Sequence, residues 1–472
     1  MKSPLGHIPP GLTPGKLDHR MIRSFEKTAF VLSLVILSFL YGYATRWHGW
    51  FPNKILEQAS QKITALSSAW SPASALVQPR VYDREGVKVV EPDAVQSGLT
   101  LLVSSWEGAD GLKPELRLIN EHGRALHKWR IDRGSLFPDS ALGLRGGSPS
   151  RAVIHGSHLF PNGDVIVNLE YIGTARLDAC GRVQWTLTEG NHHSVARGAD
   201  GSFWIPGASQ KLRATSPGHP EGFPGLDDPL YLEWILNVSG EGVLLNKISV
   251  LDVLYANGLE RYLSKVSQPE AGTEGLRKND VMHLNDVEPL SPALAEEYPL
   301  FEAGDLLVSL RNLHLVFVMD PESKEVKWHA SAPFIQQHDP DFIGEGWIGV
   351  FDNNEDFTQR GTMLGGSRIV ALQPHTDSME VRVPKSSTEH FYTAIWGKWQ
   401  HLENGNMLLT EASAGRVVEV APDGRTVWEW VHSPFTDSKV PVVTEATRYD
   451  LSREDIADWS CSSVEPASTE QR

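Results

Sequence analysis

Beyond Gly98 the chain alternates short runs of apolar and polar positions with turns rich in Gly, Asn and Asp, the pattern of strand, turn and strand. Gly181-Arg182-Val183-Gln184-Trp185 and Gly424-Arg425-Thr426-Val427-Trp428 are the plainest copies of one device, a Gly turn feeding a strand that closes on Trp. Lys324 to Trp328 and Gly123 to Trp129 are looser copies. A second device precedes some of them: Phe160-Pro161-Asn162-Gly163 leads into Asp164 to Val167, and Leu402-Glu403-Asn404-Gly405 into Asn406 to Leu409. Dividing at these marks gives six units, near residues 98–131, 152–187, 191–248, 281–330, 336–384 and 394–432. Such units, with no convincing amphipathic helix among them, predict an all-β six-bladed β-propeller of four-stranded blades around a central channel. A sandwich or a solenoid is the alternative, but the units are too many for one sandwich and a closed ring removes exposed edges. Closure requires the strand at Leu99 to Ser104 to meet the last unit. The Trp residues that end units (Trp129, Trp185, Trp328, Trp428) are expected to pack between blades. Two longer inserts without periodicity, Leu212 to Leu230 and Leu290 to Glu302, are expected as rims of a site.

Ahead of this body the pattern changes. Ala29 to Ala44 carries no charge and, with Thr28 and Thr45, reaches about the minimum length for a membrane-spanning helix. Arg20, Arg23 and Lys27 precede it and Trp47 and Trp50 follow, which fits a basic cytoplasmic flank and an interfacial aromatic belt. The body then lies outside the cytoplasm. A cleaved signal peptide ending in the small residues of Tyr41-Gly42-Tyr43-Ala44 is the competing reading, and the long polar stretch in front favours the anchor. The expected organisation is a cytoplasmic tail over 1–27, a transmembrane helix over 28–45, a stalk or linker over 46–97, the propeller over 98–432 and a C-terminal tail over 433–472. Within the stalk Ile55, Leu56, Ile63 and Leu66 keep helical spacing until Pro72, so a free stalk and a helix packed back on the body are both open.

Composition narrows the function classes. A chain of 472 residues suits one large or two medium domains, and a formal net charge of -16 spread along it argues against nucleic-acid binding. Two cysteines, Cys180 and Cys461, build neither a disulfide framework nor a Cys-type zinc site. They can pair in an extracytoplasmic compartment, but free thiols are the default expectation.

Candidate chemistry lies where histidines stand just ahead of strands: Asn191-His192-His193-Ser194, His283-Leu284-Asn285-Asp286 and Gln336-Gln337-His338-Asp339, with Ser309-Leu310-Arg311-Asn312 following the second. Equivalent positions of units arranged about an axis converge at one end, so His193, His283, His338 and Arg311 can share one pocket. For each His alone the bland alternative is a bond to a backbone group at the top of its blade. His155, His158 and His401 also lie beside strand starts and read as structural. Three imidazoles on one axis also suit a zinc ion, but Arg311 beside them would repel a dication and favours an anionic ligand.

The order of these motifs resembles the bacterial arylsulfotransferases, which use an aryl sulfate donor rather than a nucleotide such as PAPS. The resemblance covers roughly Gly98 to Val431. It is carried by His283-Leu284-Asn285, Leu306 to Asn312, Gln337-His338-Asp339, Gly349 to Asn353, Asn404 to Asn406, Val418 to Val420 and Trp428 to Trp430. It implies that His338 attacks sulfur and carries the sulfuryl group, that His283 serves as general acid and base, and that Arg311 neutralises the sulfuryl oxygens. The family's earlier histidine falls on His193, with His192 as its neighbour. The implied reaction is ping-pong transfer through a sulfohistidine to a phenolic or other hydroxyl acceptor, with no cofactor and no metal. The implied location is the bacterial inner membrane, single-pass through the N-terminal helix, with the propeller on the periplasmic side. This chain departs from the family in carrying a membrane segment where enterobacterial members have a separate β-rich domain. It also has Asp286 after the Asn, and an acidic insert with Glu296, Glu297 and Glu302 that can narrow the pocket or change the acceptor. A silent envelope propeller binding an anionic glycan or a protein partner is the alternative function, and a hydrolase passing the group to water is a third.

Overall fold

Among the described residues the alternating segments fold as antiparallel strands grouped into six sheets of four or five strands and one two-stranded sheet. In the computed structural model, which describes residues 19–48, 76–108, 111–138, 153–226, 229–266, 279–356, 358 and 360–459, the six larger sheets are the six blades of a propeller. The second blade runs Ile154–Leu159, Val165–Leu169, Gly173–Leu177 and Val183–Leu187. The third runs Ala196–Arg197, Phe203–Ala208, Glu233–Val238 and Leu244–Ser249. The fourth runs Leu284–Pro289, Leu306–Leu310, Leu315–Met319 and Val326–Ala330. The fifth runs His338–Phe342, Ile348–Asp352, Arg368–Gln373 and Ser378–Val383. The sixth runs Lys398–His401, Met407–Glu411, Arg416–Val420 and Thr426–Val431, with Gly86–Val89 added outside.

Sandwiching between neighbouring blades explains which strands alternate and which do not. Val165–Leu169, Leu306–Leu310, Ile348–Asp352 and Met407–Glu411 are buried at every residue, so they read as continuous apolar runs. The outermost Val183–Leu187 alternates half-buried and exposed residues because one face meets solvent. Three of the unit-ending Trp side chains lie between blades, as expected: Trp428 Nε1 donates to Glu121 O (2.7 Å), Trp185 Nε1 to Gly240 O (2.9 Å), and Trp328 packs with Phe301 in the core shared by the fourth and fifth blades. One helix was not expected. Val250–Ala256, capped by Ser249 Oγ on the Asp252 amide (3.3 Å), buries Val250, Leu251, Val253 and Leu254 against the fourth blade.

The ring closes through the first blade, whose innermost strand is Val443–Tyr449 and whose others are Leu99–Gly108, Gly111–Ile119 and Ala125–Arg130. Val443 pairs with Ser104 and Tyr449 with Leu99. Leu99 to Ser104 does close the ring, but its partner lies in the stretch expected as a tail. Thr444, Glu445 and Arg448 made that stretch look solvated; all three are buried, with Glu445 turned into the channel and Arg448 Nη2 paired to Glu419 (3.2 Å). The end of the expected linker also belongs to the body: Val77–Pro79 pairs with Lys439–Pro441, and Tyr82 Oη donates to Glu411 Oε2 (2.7 Å). Residues 49–75, most of the expected stalk, lie outside the described residues.

The two inserts part company. Leu212 to Leu230 follows Phe203–Ala208 on the face that carries His192, whose amide bonds Pro206 O (3.0 Å). Leu290 to Glu302 instead follows the far end of the strand that starts beside His283, about 15–20 Å away at the rise of a six-residue strand. Glu296, Glu297 and Glu302 therefore do not narrow the pocket. Cys180 is disulfide-bonded, against the expectation of free thiols, and Cys461, the chain's other cysteine, lies outside the described residues.

The N-terminal unit is a separate compact unit. Its helix His19–His48 contains Glu26–Tyr43, a stretch long and apolar enough to cross a membrane and with every described side chain exposed.

Candidate functional site

All six innermost strands touch at least one neighbour around the channel, and four of them begin with the same irregularity. Pairing slips by a residue at His155 and Gly156, at Asn285, at Asp339 and at Thr444. A bulge bends the strand and re-aims its side chains. All four slips lie on the wall of the same small central cavity, together with Ser194, Asp286, His338, Gly397, Lys398 and Glu445. Gly156 is required there: at φ +137°, a Cβ would stand 2.0 Å from the carbonyl oxygen of His193. His193 and His283 themselves take positive φ (57° and 55°), a conformation costing about 1–3 kcal/mol that clusters at functional sites.

The four residues expected to converge do so. His193 lies edge-on to His283 with ring centroids 5.0 Å apart and stands 6.3 Å from His338. Arg311 follows Leu306–Leu310 at the same end, and its amide donates to His283 O (3.0 Å). Its guanidinium meets Asn312 Oδ1 (3.2 Å) and Glu355 Oε2 (3.5 Å).

Hydrogen bonds set the proton positions. His338 Nδ1 faces two acceptors, Asn353 Oδ1 (2.6 Å) and Gln336 O (3.2 Å), so it carries the hydrogen and Nε2 carries the lone pair. The Asn353 amide is fixed by donating to Thr393 O (2.9 Å) and Trp396 O (2.6 Å). Burial, and then the nearby Arg311 charge, hold His338 well below the ordinary histidine range, so its Nε2 is unprotonated at neutral pH. His283 Nδ1 lies 2.6 Å from Asp280 Oδ2, which leaves Nε2 to exchange protons. His192 Nδ1 and His193 Nδ1 meet at 2.7 Å, with Tyr171 against His192 at 4.6 Å between centroids.

Sequence reasoning missed three participants. His155, read as structural, packs on His193 at 4.0 Å and lies 6.5 Å from His338. Asp280 and Asn353 orient the two principal imidazoles; Asn353 belonged to a recognised motif, and a carboxylate three residues before His283 was the available signal for Asp280. His158 and His401 are not among the residues lining the central cavity, as their structural reading implied.

Below the imidazoles the channel is acidic. Asp286, Glu288, Asp339, Asp341 and Glu445 act on a single Lys398, which burial would push down but these carboxylates push well up. Asp286, Asp339, Glu445 and Lys398 line the same cavity as His155 and His338. Burial, partly offset by Lys398 and reinforced by Asp339, raises Glu288 to about 7 from an ordinary 4.5. Glu288 thus keeps a proton in the folded chain that it loses in the unfolded one, so its contribution to stability is present below about pH 4.5 and is lost as pH rises through about 7. Glu288→Gln is expected to match the wild-type melting temperature at pH 5 and exceed it at pH 8. Equal or lower values at pH 8 in paired thermal melts would rule this out.

The fold is a six-bladed propeller that gathers His193, His283, His338 and Arg311 at one end of its channel. The family model for arylsulfotransferase (ASST) matches residues 156–433, more than half of the chain. The chain belongs to the arylsulfotransferase family, and an aryl-sulfotransferase-like activity follows in general terms. No curated protein matches it. Among solved structures it is similar to a Bacteroides caccae protein of unknown function (13% identity, 74% of this chain and 98% of that one, TM-score 0.45). It is also similar to a streptogramin B lyase (10% identity, 76% and 87%, TM-score 0.36) and to virginiamycin B lyase from Staphylococcus aureus (7% identity, 60% and 71%, TM-score 0.31). These scores are too low to carry an argument about activity.

Proposed function

We propose that the chain is a PAPS-independent aryl-sulfate sulfotransferase working through a sulfohistidine at His338. The observation that carries this reading is the hydrogen bond from His338 Nδ1 to Asn353, which leaves a buried, unprotonated Nε2 beside Arg311. In the first half-reaction Nε2 attacks sulfur, the bond from sulfur to the aryl oxygen breaks, and His283 gives its Nε2 proton to the departing oxygen. In the second, an acceptor phenol or other hydroxyl loses its proton to His283, its oxygen attacks sulfur, and the nitrogen–sulfur bond breaks. Asp280 holds the His283 ring through Nδ1 in both directions. Arg311 offers planar donors to the sulfuryl oxygens, and His193 offers a further nitrogen. The residues present need no cofactor for this sequence of steps.

The same reading puts the propeller on the periplasmic side of a bacterial inner membrane, held by the N-terminal helix. Two observations support it: the basic flank of that helix, and a disulfide at Cys180, which an oxidising compartment maintains.

The test uses the full chain in detergent, exposed briefly to an aryl sulfate without acceptor and quenched under alkaline denaturing conditions. Intact-mass and peptide mapping are expected to show a burst of one phenol per chain and one sulfuryl group on the peptide containing His338. A folded sample with neither burst nor adduct would overturn the reading in favour of a binding propeller for an anionic glycan or an envelope protein.

A further inference from the structure

Glu170 brings a carboxylate beside two of these imidazoles, His155 and His193. It follows the buried strand Val165–Leu169, at the blade end where the second strands of the fourth and fifth blades deliver Arg311 and Asn353. One ligand atom each from His155, Glu170 and His193 lie within 4.8 Å of one another. We propose that His155, Glu170 and His193 form a binding site for a zinc-like divalent transition-metal ion.

Two imidazoles and a carboxylate are a common donor set for zinc at sites that keep a coordination position open. Ideal tetrahedral ligand atoms stand about 3.3 Å apart, so the trio closes on an ion by side-chain adjustment alone. The imidazoles are suited to it in two ways. His155 is buried to nine-tenths and its Nδ1 has no hydrogen-bond partner. His193 has its Nδ1 engaged by His192, which leaves Nε2 for an ion and gives His192 the orienting role that partners of metal-bound histidines play.

The bulge at His155-Gly156 and the tight turn at Tyr171 (φ 56°) bring His155 and Glu170 together from paired strands at one end of the second blade, and His193 joins them from the entry to the next. Arg311, the obstacle to a metal among the other histidines, acts chiefly on His338; the leading charges on His155 and His193 are other histidines and, for His155, Lys398. Ion capture does not depend on sulfuryl transfer. If that transfer reading holds, an ion held by these residues would lie near His338, whose ring is 6.5 Å from that of His155, and would supply Lewis-acid stabilisation to a sulfuryl oxygen in place of the His193 N–H.

The test is metal binding by the tag-free full chain in detergent, stripped with chelator and titrated with Co²⁺ alone, then with Zn²⁺ in competition. Visible Co²⁺ absorption is expected to saturate at one ion per chain and to be bleached by Zn²⁺. His155→Ala and Glu170→Gln are each expected to weaken binding by at least about tenfold, with His338→Ala unchanged. Glu170→Gln is the isosteric variant that keeps the test valid if His155→Ala fails to fold, as judged by circular dichroism. Absence of a saturable band, binding indifferent to Glu170→Gln, or binding lost in His338→Ala would each overturn the assignment. Because no aryl sulfate is present, failure here is distinct from failure of the transfer reading.

Discussion

His338→Ala is expected to lower kcat/KM for an aryl sulfate by about four orders of magnitude, while the dissociation constant for that sulfate changes only a few-fold. The split follows from the pocket. In the proposed reaction Nε2 of His338 forms the new bond, whereas Arg311 and His193, the groups proposed to hold the anion, stand on other blades and stay in place. Loss of the ring removes the covalent route but little of the binding. Initial phenol release under excess acceptor, together with equilibrium binding to the variant, checks both halves. Added imidazole should restore part of the rate, since the deleted ring leaves a hole of its own shape walled by His155 and Asn353. An unchanged rate would remove His338 from the chemistry. Parallel loss of rate and binding would make it a binding residue instead.

His283→Ala is expected to cost about 10²–10⁴ in the first half-reaction, and the cost should depend on the phenol. A proton delivered to the departing oxygen matters most when that oxygen is basic. Nitrophenyl sulfates should therefore react with the variant at near wild-type speed, while sulfates of unsubstituted phenols should fall by the full factor. Asp280→Asn should show the same dependence with a smaller loss, because it disturbs the His283 proton without removing the ring. Single-turnover rates across a series of phenols give the slope against phenol acidity. A uniform loss across the series would assign His283 to positioning rather than proton transfer.

The fold was legible because propeller blades advertise themselves twice, through alternating outer strands and through turns that recur at the same place in each unit. Asn162-Gly163 and Asn404-Gly405 do initiate the second strands of their blades, and Trp185 and Trp428 do bridge to the next blade. The closing strand Val443–Tyr449 was not legible, because its polar residues are buried by long-range partners: Arg448 by Glu419, and Glu445 by the channel. Hydropathy cannot separate a buried charge that has a partner from an exposed one. The site shows the same division. His193, His283 and His338 could be found from their shared place ahead of a strand, since symmetry turns equal positions into neighbours. His155 sits one residue inside its strand and reaches the pocket only through the slip in pairing at Gly156, which no local pattern announces. Asp286 looked like a substitution in a motif, yet it faces Lys398 in the channel.

Stitching the first blade from both ends of the body also sets a clock. Strands 99–130 emerge early in synthesis and must wait for Val443–Tyr449 before their innermost neighbour exists. Every histidine of the pocket has been synthesised by then, but Thr444 and Glu445, which belong to the same channel wall, come later in the chain. A nascent chain therefore carries these imidazoles beside an open seam, and the channel wall closes only when Val443–Tyr449 pairs with Leu99–Gly108.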